Sequence, residues 1–296
     1  MKRTVTVIGG ANVDIGGRSA AALALRDSNP GFVSQRYGGV GRNIAHDLCL
    51  LGERVRFITA LGGDLYGAGL REHCRALGMD LAHALILPDE RSSSYLYVTD
   101  ENGDMLVGIS DMEITRRLSP AALAGALDAI NASDAVVVDA NLEEETLAWL
   151  AERCAVPLYA DPVSTAKAPR LRPLLGKLRA LKPNALEAAA LTGEAEPEAA
   201  LDALVRCGAE RVFLSLGSRG MLAAEGETRL AFPCEPMPIV NTTGAGDAAL
   251  AALVWMDLRG RSLAECARAA VHAGAVTSAC EEANQPDLAK QMESFV

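Results

Sequence analysis

Aromatic side chains are scarce here: five Phe, five Tyr and two Trp make up 4% of 296 residues. A core without many large rings has to be built from aliphatic strands and small-residue helices, and 50% of the residues are hydrophobic, a globular composition. No apolar run approaches the ~20 residues needed to cross a bilayer. Met1-Lys2-Arg3 begins like a secretion signal, but the apolar stretch behind it is only 5–8, broken by Thr6 and closed by Gly9-Gly10, so it reads as a first strand. The seven cysteines, at 49, 74, 154, 207, 234, 266 and 280, include no CxxC pair. That removes disulfide frameworks and zinc sites and leaves free thiols in a reducing compartment. No Lys/Arg run exceeds a pair such as Arg116-Arg117, and the net charge is −10, so the basic patch that draws nucleic acid is missing. These absences predict a soluble, cytoplasmic protein with a small-molecule partner, and neither a membrane nor a nucleic acid polymer.

Two nucleotide-binding patterns are missing as well. There is no GxxxxGK[ST] loop, and Gly9-Gly10-Ala11 followed by Gly16-Gly17 lacks the GxGxxG spacing of a dinucleotide fold. What is present is an alternation. Short β-branched runs at 5–8, 55–58, 135–138, 156–160 and 212–216 predict strands. Between them 43–51, 65–77, 120–130, 144–153 and 198–207, with two more segments near the end, predict helices. Ile44, Leu48 and Leu51 fall at i, i+4 and i+7 of one helical face, and Ser119-Pro120 supplies an N-cap and a first-turn proline. The pattern predicts an α/β fold, a mostly parallel sheet covered by helices on both faces, with ligands beyond the carboxyl ends of the strands.

One region breaks this rhythm. Residues 92–99, Asp100-Glu101-Asn102-Gly103-Asp104 and 105–109 read as a hairpin around Asn-Gly, and 32–37 offers a further strand. Strands inserted at about 12–37 and 91–110 would form a small sheet on a single domain spanning 1–296, either a structural appendage or an active-site lid. Tyr95 and Tyr97 are expected on opposite sides of their strand, so that at most one faces a ligand.

The most informative stretch is Asn241-Thr242-Thr243-Gly244-Ala245-Gly246-Asp247, followed by the apolar helical run 248–256. A helix that starts on a Gly-Ala-Gly turn offers free amides and the positive end of its dipole to an anion. Asp247 in the first turn would repel a resting phosphate. It makes chemical sense as the acceptor of a proton from a hydroxyl attacking phosphorus, while the amides hold the charge that develops. An ordinary glycine turn with an acidic helix start fits the same residues.

This stretch resembles the C-terminal signature of the ribokinase (PfkB) family, usually Asp-Thr-x-Gly-Ala-Gly-Asp. Other family marks follow in order: Gly10-Ala11-Asn12-Val13-Asp14, Gly38-Gly39-Val40-Gly41-Arg42-Asn43-Ile44-Ala45, Lys182-Pro183-Asn184-Ala185-Leu186-Glu187 and Leu216-Gly217-Ser218-Arg219-Gly220. The resemblance implies a ribokinase-like three-layer sandwich with a small β-sheet lid, and an ATP- and Mg²⁺-dependent kinase. Asp247 would be the catalytic base, with Gly244, Ala245 and Gly246 forming the anion hole. Asn12, Asp14, Gly38, Gly39 and Asn43 would hold the sugar, where an amide and a carboxylate suit vicinal hydroxyls. Asn184 and Glu187 would hold hydrated Mg²⁺. Asp161 would either assist the metal or substrate or cap a helix. Ser215, Gly217, Gly220 and Thr242 would lie near the ATP phosphates and His272 in the adenine pocket, leaving His46, His73 and His83 to surface or core. The family often uses a monovalent cation such as K⁺, but Asn241 stands where its members usually carry Asp.

Longer matches resemble the branch of the family that phosphorylates pseudouridine. They include Asp27-Ser28-Asn29-Pro30-Gly31, Ser93-Ser94-Tyr95-Leu96, Ser110-Asp111-Met112 and Asp161-Pro162-Val163-Ser164. That branch implies transfer of the γ-phosphate of ATP to the 5′-hydroxyl of pseudouridine, with Ser93, Ser94, Tyr95 and Asp111 as candidates to read the uracil. A homodimer through the lid is a further expectation. Competing readings are a family kinase for another nucleoside or sugar, a non-catalytic nucleoside binder, and a dinucleotide oxidoreductase.

Overall fold

Along β1 (Thr4–Ile8) successive side chains enter two different cores, because a strand turns alternate residues to opposite faces. In the computed structural model, which describes residues 2–295, Val5 and Val7 join one apolar cluster and Ile8 the other. Met1, the first residue of the signal-like start, lies outside the described residues. The same division holds in β9 (Ala135–Asp139), where Ala135 and Val137 face one cluster and Val136 and Val138 the other. Such strands read as unbroken apolar runs because neither face meets water.

The large sheet has the order β14 (Thr228–Phe232), β13 (Met221–Glu225), β12 (Arg211–Ser215), β11 (Leu178–Leu181), β10 (Leu158–Asp161), β9, β1, β4 (Arg54–Ile58). Six strands from β12 to β4 run parallel, and β13 and β14 close the edge as an antiparallel hairpin. One face is covered by α1 (Val40–Leu50), α2 (Leu65–Ala76), α8 (Ala245–Asp257), α9 (Leu263–Ser278) and α10 (Leu288–Gln291). The other carries α3 (Pro120–Leu123), α4 (Leu127–Asn131), α5 (Glu144–Arg153), α6 (Ala185–Thr192) and α7 (Pro197–Arg206). The result is the three-layer sandwich expected from the sequence. Helix α8 is apolar on all sides because it is buried on all sides, from Asp247 to Met256.

The structure departs from the sequence reading at several elements. The single helix expected over 120–130 is two short helices joined by a 3₁₀ turn at Ala124–Ala126, where Gly125 weakens a continuous helix. Strands β11, β13 and β14 were not anticipated: Leu178–Leu181 is interrupted by Arg179, and Met221–Glu225 is alanine-rich, a composition that by itself favours helix.

A smaller sheet has the order β3 (Gly31–Gly38), β2 (Asn12–Ser19), β7 (Ser94–Thr99), β8 (Met105–Asp111). Its two hairpins are antiparallel and β2 meets β7 in parallel. The expected Asn102-Gly103 turn forms, with Asp100 Oδ1 accepting the N–H of Asn102 and of Asp104, each at 2.9 Å. Tyr95 and Tyr97 do not lie on opposite sides. Residues two apart in a strand share a face, and the two rings stack with centroids 5.7 Å apart. The opposite face presents Leu96 paired with Ile109 and Val98 paired with Val107, much of it exposed. A third, two-stranded sheet pairs β5 (Ala60–Gly62) with β6 (Leu85–Leu87).

β1 lies between β4, reached on one side, and β9, reached on the other. This is the topological switch point, and ligand clefts in such sheets open at the carboxyl ends beside it. Among the described residues no helix is long and apolar enough to cross a membrane, and the cysteines are free thiols.

Candidate active site

The switch point is closed by one carboxylate. Asp139, fully buried at the end of β9, accepts the N–H of Gly10 at 2.9 Å and of Gly41 at 2.8 Å on Oδ2, and that of Asn141 at 2.9 Å on Oδ1. It ties together the exit of β1, the first turn of α1 and the exit of β9. Any Cβ on Gly10 would stand 2.6 Å from Asn141 Nδ2, so glycine permits the approach. Beyond it Asn12 Nδ2 donates to Asp14 Oδ1 at 2.6 Å. Burial pushes the Asp14 carboxyl upward, against the Asn12 hydrogen bond and the Arg42 charge. Gly38 faces Asp14, whose carboxylate fills the space of a side chain there. Gly39, at φ +101°, caps α1.

Asp247 is reached from the other side of the cleft. Gly244, at φ +82°, is the N-cap of α8, and a Cβ on it would run into the Ala283 carbonyl. The backbone is therefore restricted to glycine twice over, by conformation and by space. N–H groups of Gly246 and Asp247 in the first turn have no intrahelical acceptor. The Asp247 side chain is buried, and its Oδ2 accepts from Asn43 Nδ2 at 2.7 Å. Burial, and next the Asp161 carboxylate, push Asp247 up to about 7, while the Asn43 donor and the charges of Lys182 and Arg42 hold it down.

Lys182 is the residue the sequence reading passed over. It follows β11, is buried, and its Nζ lies 3.2 Å from Asp161 Oδ2. The ammonium packs against the first turn of α8, 3.2 Å from where a Cβ on Gly246 would be. Burial opposes its charge, but Asp161, Glu187 and Asp247 outweigh burial and raise its pKa. A lysine following an apolar strand was the signal available in Leu181-Lys182-Pro183. Asp139 left a similar trace, an acid ending the run 135–138.

Several expected residues also carry local hydrogen bonds or turns. Asn184 and Glu187 form a capping box on α6, with Asn184 Oδ1 accepting the Glu187 N–H and Glu187 Oε2 accepting the Asn184 N–H, both at 2.9 Å. Asp161 caps no helix. Its Oδ1 accepts the Val163 N–H at 2.7 Å, bracing a turn in which Val163 sits at φ +65°. Ser215 donates to the Pro183 carbonyl at 3.3 Å, and Gly217 and Gly220 flank a 3₁₀ turn after β12. Asn241 closes its own loop, accepting the Thr243 N–H at 3.0 Å and donating to the Glu281 carbonyl at 3.1 Å.

A cavity of about 1290 Å³ runs from the smaller sheet to this loop, past Asp14, Tyr95, Tyr97, Arg42, Thr242 and Asn284. Two of the histidines border it. His46 and His73 line the cavity, with burial holding His46 down to about 4 and so neutral. His272 instead is engaged by Glu235 Oε2 at 2.7 Å and the Gln291 carbonyl at 3.1 Å. Of the residues meant to read a base, Tyr95 lines the cavity, and Tyr97, not anticipated, joins it. Asp111 is paired with Arg91 at 3.2 Å. Ser93 is buried, its carbonyl accepting the Val13 N–H at 3.0 Å, and Ser94 pairs with Val13 in the sheet.

Comparison with known proteins places the chain: the pfkB family of carbohydrate kinases matches residues 2–290. The chain belongs to that family. It is 39% identical to the pseudouridine kinase of Escherichia coli (strain K12), over 97% of this chain and 94% of that one. A solved carbohydrate kinase from Agrobacterium tumefaciens superposes with a TM-score of 0.89 at 31% identity, covering 100% of this chain and 97% of its own. Arabidopsis thaliana ribokinase, solved with ribose and ATP, shares the fold at a TM-score of 0.86 and 22% identity, with 99% of each chain covered.

In a pfkB kinase the first turn of α8 is where displacement should matter most. Replacing Gly244 by Ala forces the 283 loop away and tilts the amides beside Asp247. We expect kcat to fall by about 10²-fold, the loss typical of one displaced oxyanion donor, with binding of the phosphate acceptor by calorimetry changed less than tenfold. A kcat within threefold of wild type would contradict this.

Proposed function

We propose that the chain transfers the γ-phosphate of ATP to the 5′-hydroxyl of pseudouridine. The observation that carries the chemistry is the buried Asp247 carboxylate at the amino end of α8, held by Asn43 and flanked by Lys182. Asp247 accepts the hydroxyl proton as the new O5′–P bond forms and the bond from the γ-phosphorus to the bridging oxygen breaks, releasing ADP. Free amides of the first turn and the Lys182 ammonium hold the charge on the phosphoryl oxygens. Support for the acceptor comes from the Escherichia coli relative named pseudouridine kinase and from a polar pair, Asn12 and Asp14, suited to ribose hydroxyls.

A divalent ion such as Mg²⁺ neutralises phosphate charge in reactions of this class. Among the described residues no three carboxylates, cysteines or histidines converge on one point, and Oε2 of Glu187 is spent on the capping box. Glu187 and Asp161 would hold such an ion through water, as a hard cation allows, and it would supply positive charge to the phosphates. Asn241 already braces its loop with two hydrogen bonds, which is what a loop-bound K⁺ would otherwise do. Thr242, Ser215, Gly217 and Gly220 border the ATP side of the cleft, and the smaller sheet acts as its lid. The free thiols suit the cytoplasm.

ADP release with Mg·ATP should be measured against pseudouridine, uridine, adenosine and ribose in parallel. Pseudouridine should be preferred, and Asp247→Ala should abolish turnover while nucleoside still binds. Preference for another acceptor would leave the kinase and discard the substrate; no release with any would discard the kinase. The outer face of the lid exposes Leu96, Val107 and Ile109, an apolar patch that a second copy related by a two-fold axis can cover. Sedimentation at micromolar concentration should give a dimer that Ile109→Lys converts to monomer; a monomeric wild type would refute this arrangement.

A further inference from the structure

Asn43 is an amide whose two ends exchange places on a half-turn about one bond. Only with its nitrogen toward Asp247 does it meet the carboxylate as a donor; reversed, two oxygens would face each other. Something must hold the oxygen end, and the preceding residue does so. Arg42 Nη2 donates to Asn43 Oδ1 and to the Tyr37 carbonyl, the latter at 2.7 Å. A guanidinium carries donors and no acceptor, so it accepts only one of the two amide orientations. From the C-terminal segment, Asn284 Nδ2 donates to the Asn43 carbonyl at 3.0 Å and to Asp47 Oδ1 at 2.9 Å. The backbone of residue 43 is thereby pinned while Arg42 sets the side chain.

A buried arginine is a poor way to fill a core. Arg42 is 3% exposed, and its Nε finds no acceptor among the described residues. Burial works against its charge, and Asp47, Asp247 and Asp14 work for it. An aliphatic side chain would avoid that desolvation. The guanidinium also lines the cavity, and the Asp14 and Asp247 carboxylates both act on its charge.

We propose that Arg42 is a positioning residue for phosphoryl transfer, locking the Asn43 amide in the orientation that donates to Asp247. The proposal rests on the kinase reading above. It makes Arg42 act chiefly through Asn43, whose hydrogen bond to Asp247 outweighs the direct pull of the Arg42 charge, so the two residues must be non-additive.

The test is a double-mutant cycle on kcat/KM for the nucleoside at saturating ATP. ADP release by the wild type is recorded first: if no acceptor supports it, the kinase reading fails, whatever Arg42 does. Given an active wild type, Asn43→Ala and Arg42→Met should each lower kcat/KM by roughly 10–100-fold, the scale of a misplaced catalytic group. The double variant should stay within about threefold of Asn43→Ala alone. A KM for ATP unchanged in Arg42→Met would separate positioning from general damage. Losses that multiply would overturn the proposal, as would a folded Arg42→Met enzyme with wild-type kcat/KM. Should circular dichroism show Arg42→Met unfolded, Arg42→Gln takes its place in the same cycle under the same criteria.

Discussion

Everything at the carboxyl edge of the large sheet is arranged around one constraint, an ionisable carboxylate held out of water at the amino end of α8. Asp247 cannot be solvated by bulk water, so its charge has to be met by fixed groups. Asn43 donates to it, Lys182 and Arg42 supply positive charge, and Asp161 opposes it. Those groups come from α1, β10 and the end of β11, elements far apart in the chain. Their convergence explains why the strands must end in register beside β1, and why Asp139 spends its hydrogen bonds on the backbone of Gly10, Gly41 and Asn141.

Such a site costs stability. A carboxyl whose pKa is raised in the folded chain binds a proton that the unfolded chain has already released. Its stabilising proton is fully present below the unfolded value near 3.8 and is lost as pH rises toward about 7. Folding is thus penalised at neutral pH for holding the Asp247 carboxylate out of water, and the opposing term is the burial of two aliphatic layers on either face of the sheet. The apolar runs that made the strands legible are what allow the edge of the sheet to hold charge.

Much of this was readable in the sequence. Runs such as 135–138 announced strands because both of their faces are buried, and the Gly-Ala-Gly turn before an apolar run announced the start of a buried helix. Tyr95 and Tyr97 were misread through an error of strand periodicity, since residues two apart share a face. Other misses have physical causes. β13 is alanine-rich and held by its hairpin partners rather than by propensity. The local sequence of His46 or His272 does not show that the first meets the cavity beside Asn284 and the second meets Glu235 and the Gln291 carbonyl, because those neighbours come from distant segments. Lys182 was quoted within a motif, but its proximity to Asp161 and Gly246 is a tertiary fact with no local trace beyond its place after β11.

The central claim is that Asp247 works as a base whose pKa its surroundings have raised. The pH dependence of kcat/KM for the nucleoside, taken from pH 5 to 9 at saturating Mg·ATP, tests it most directly. A base must be ionised to act, so the rate should fall about tenfold per pH unit below an acid limb near 7. A profile flat down to pH 5, with the enzyme still folded, would show that no group with the raised pKa of Asp247 takes the proton, and would contradict the account.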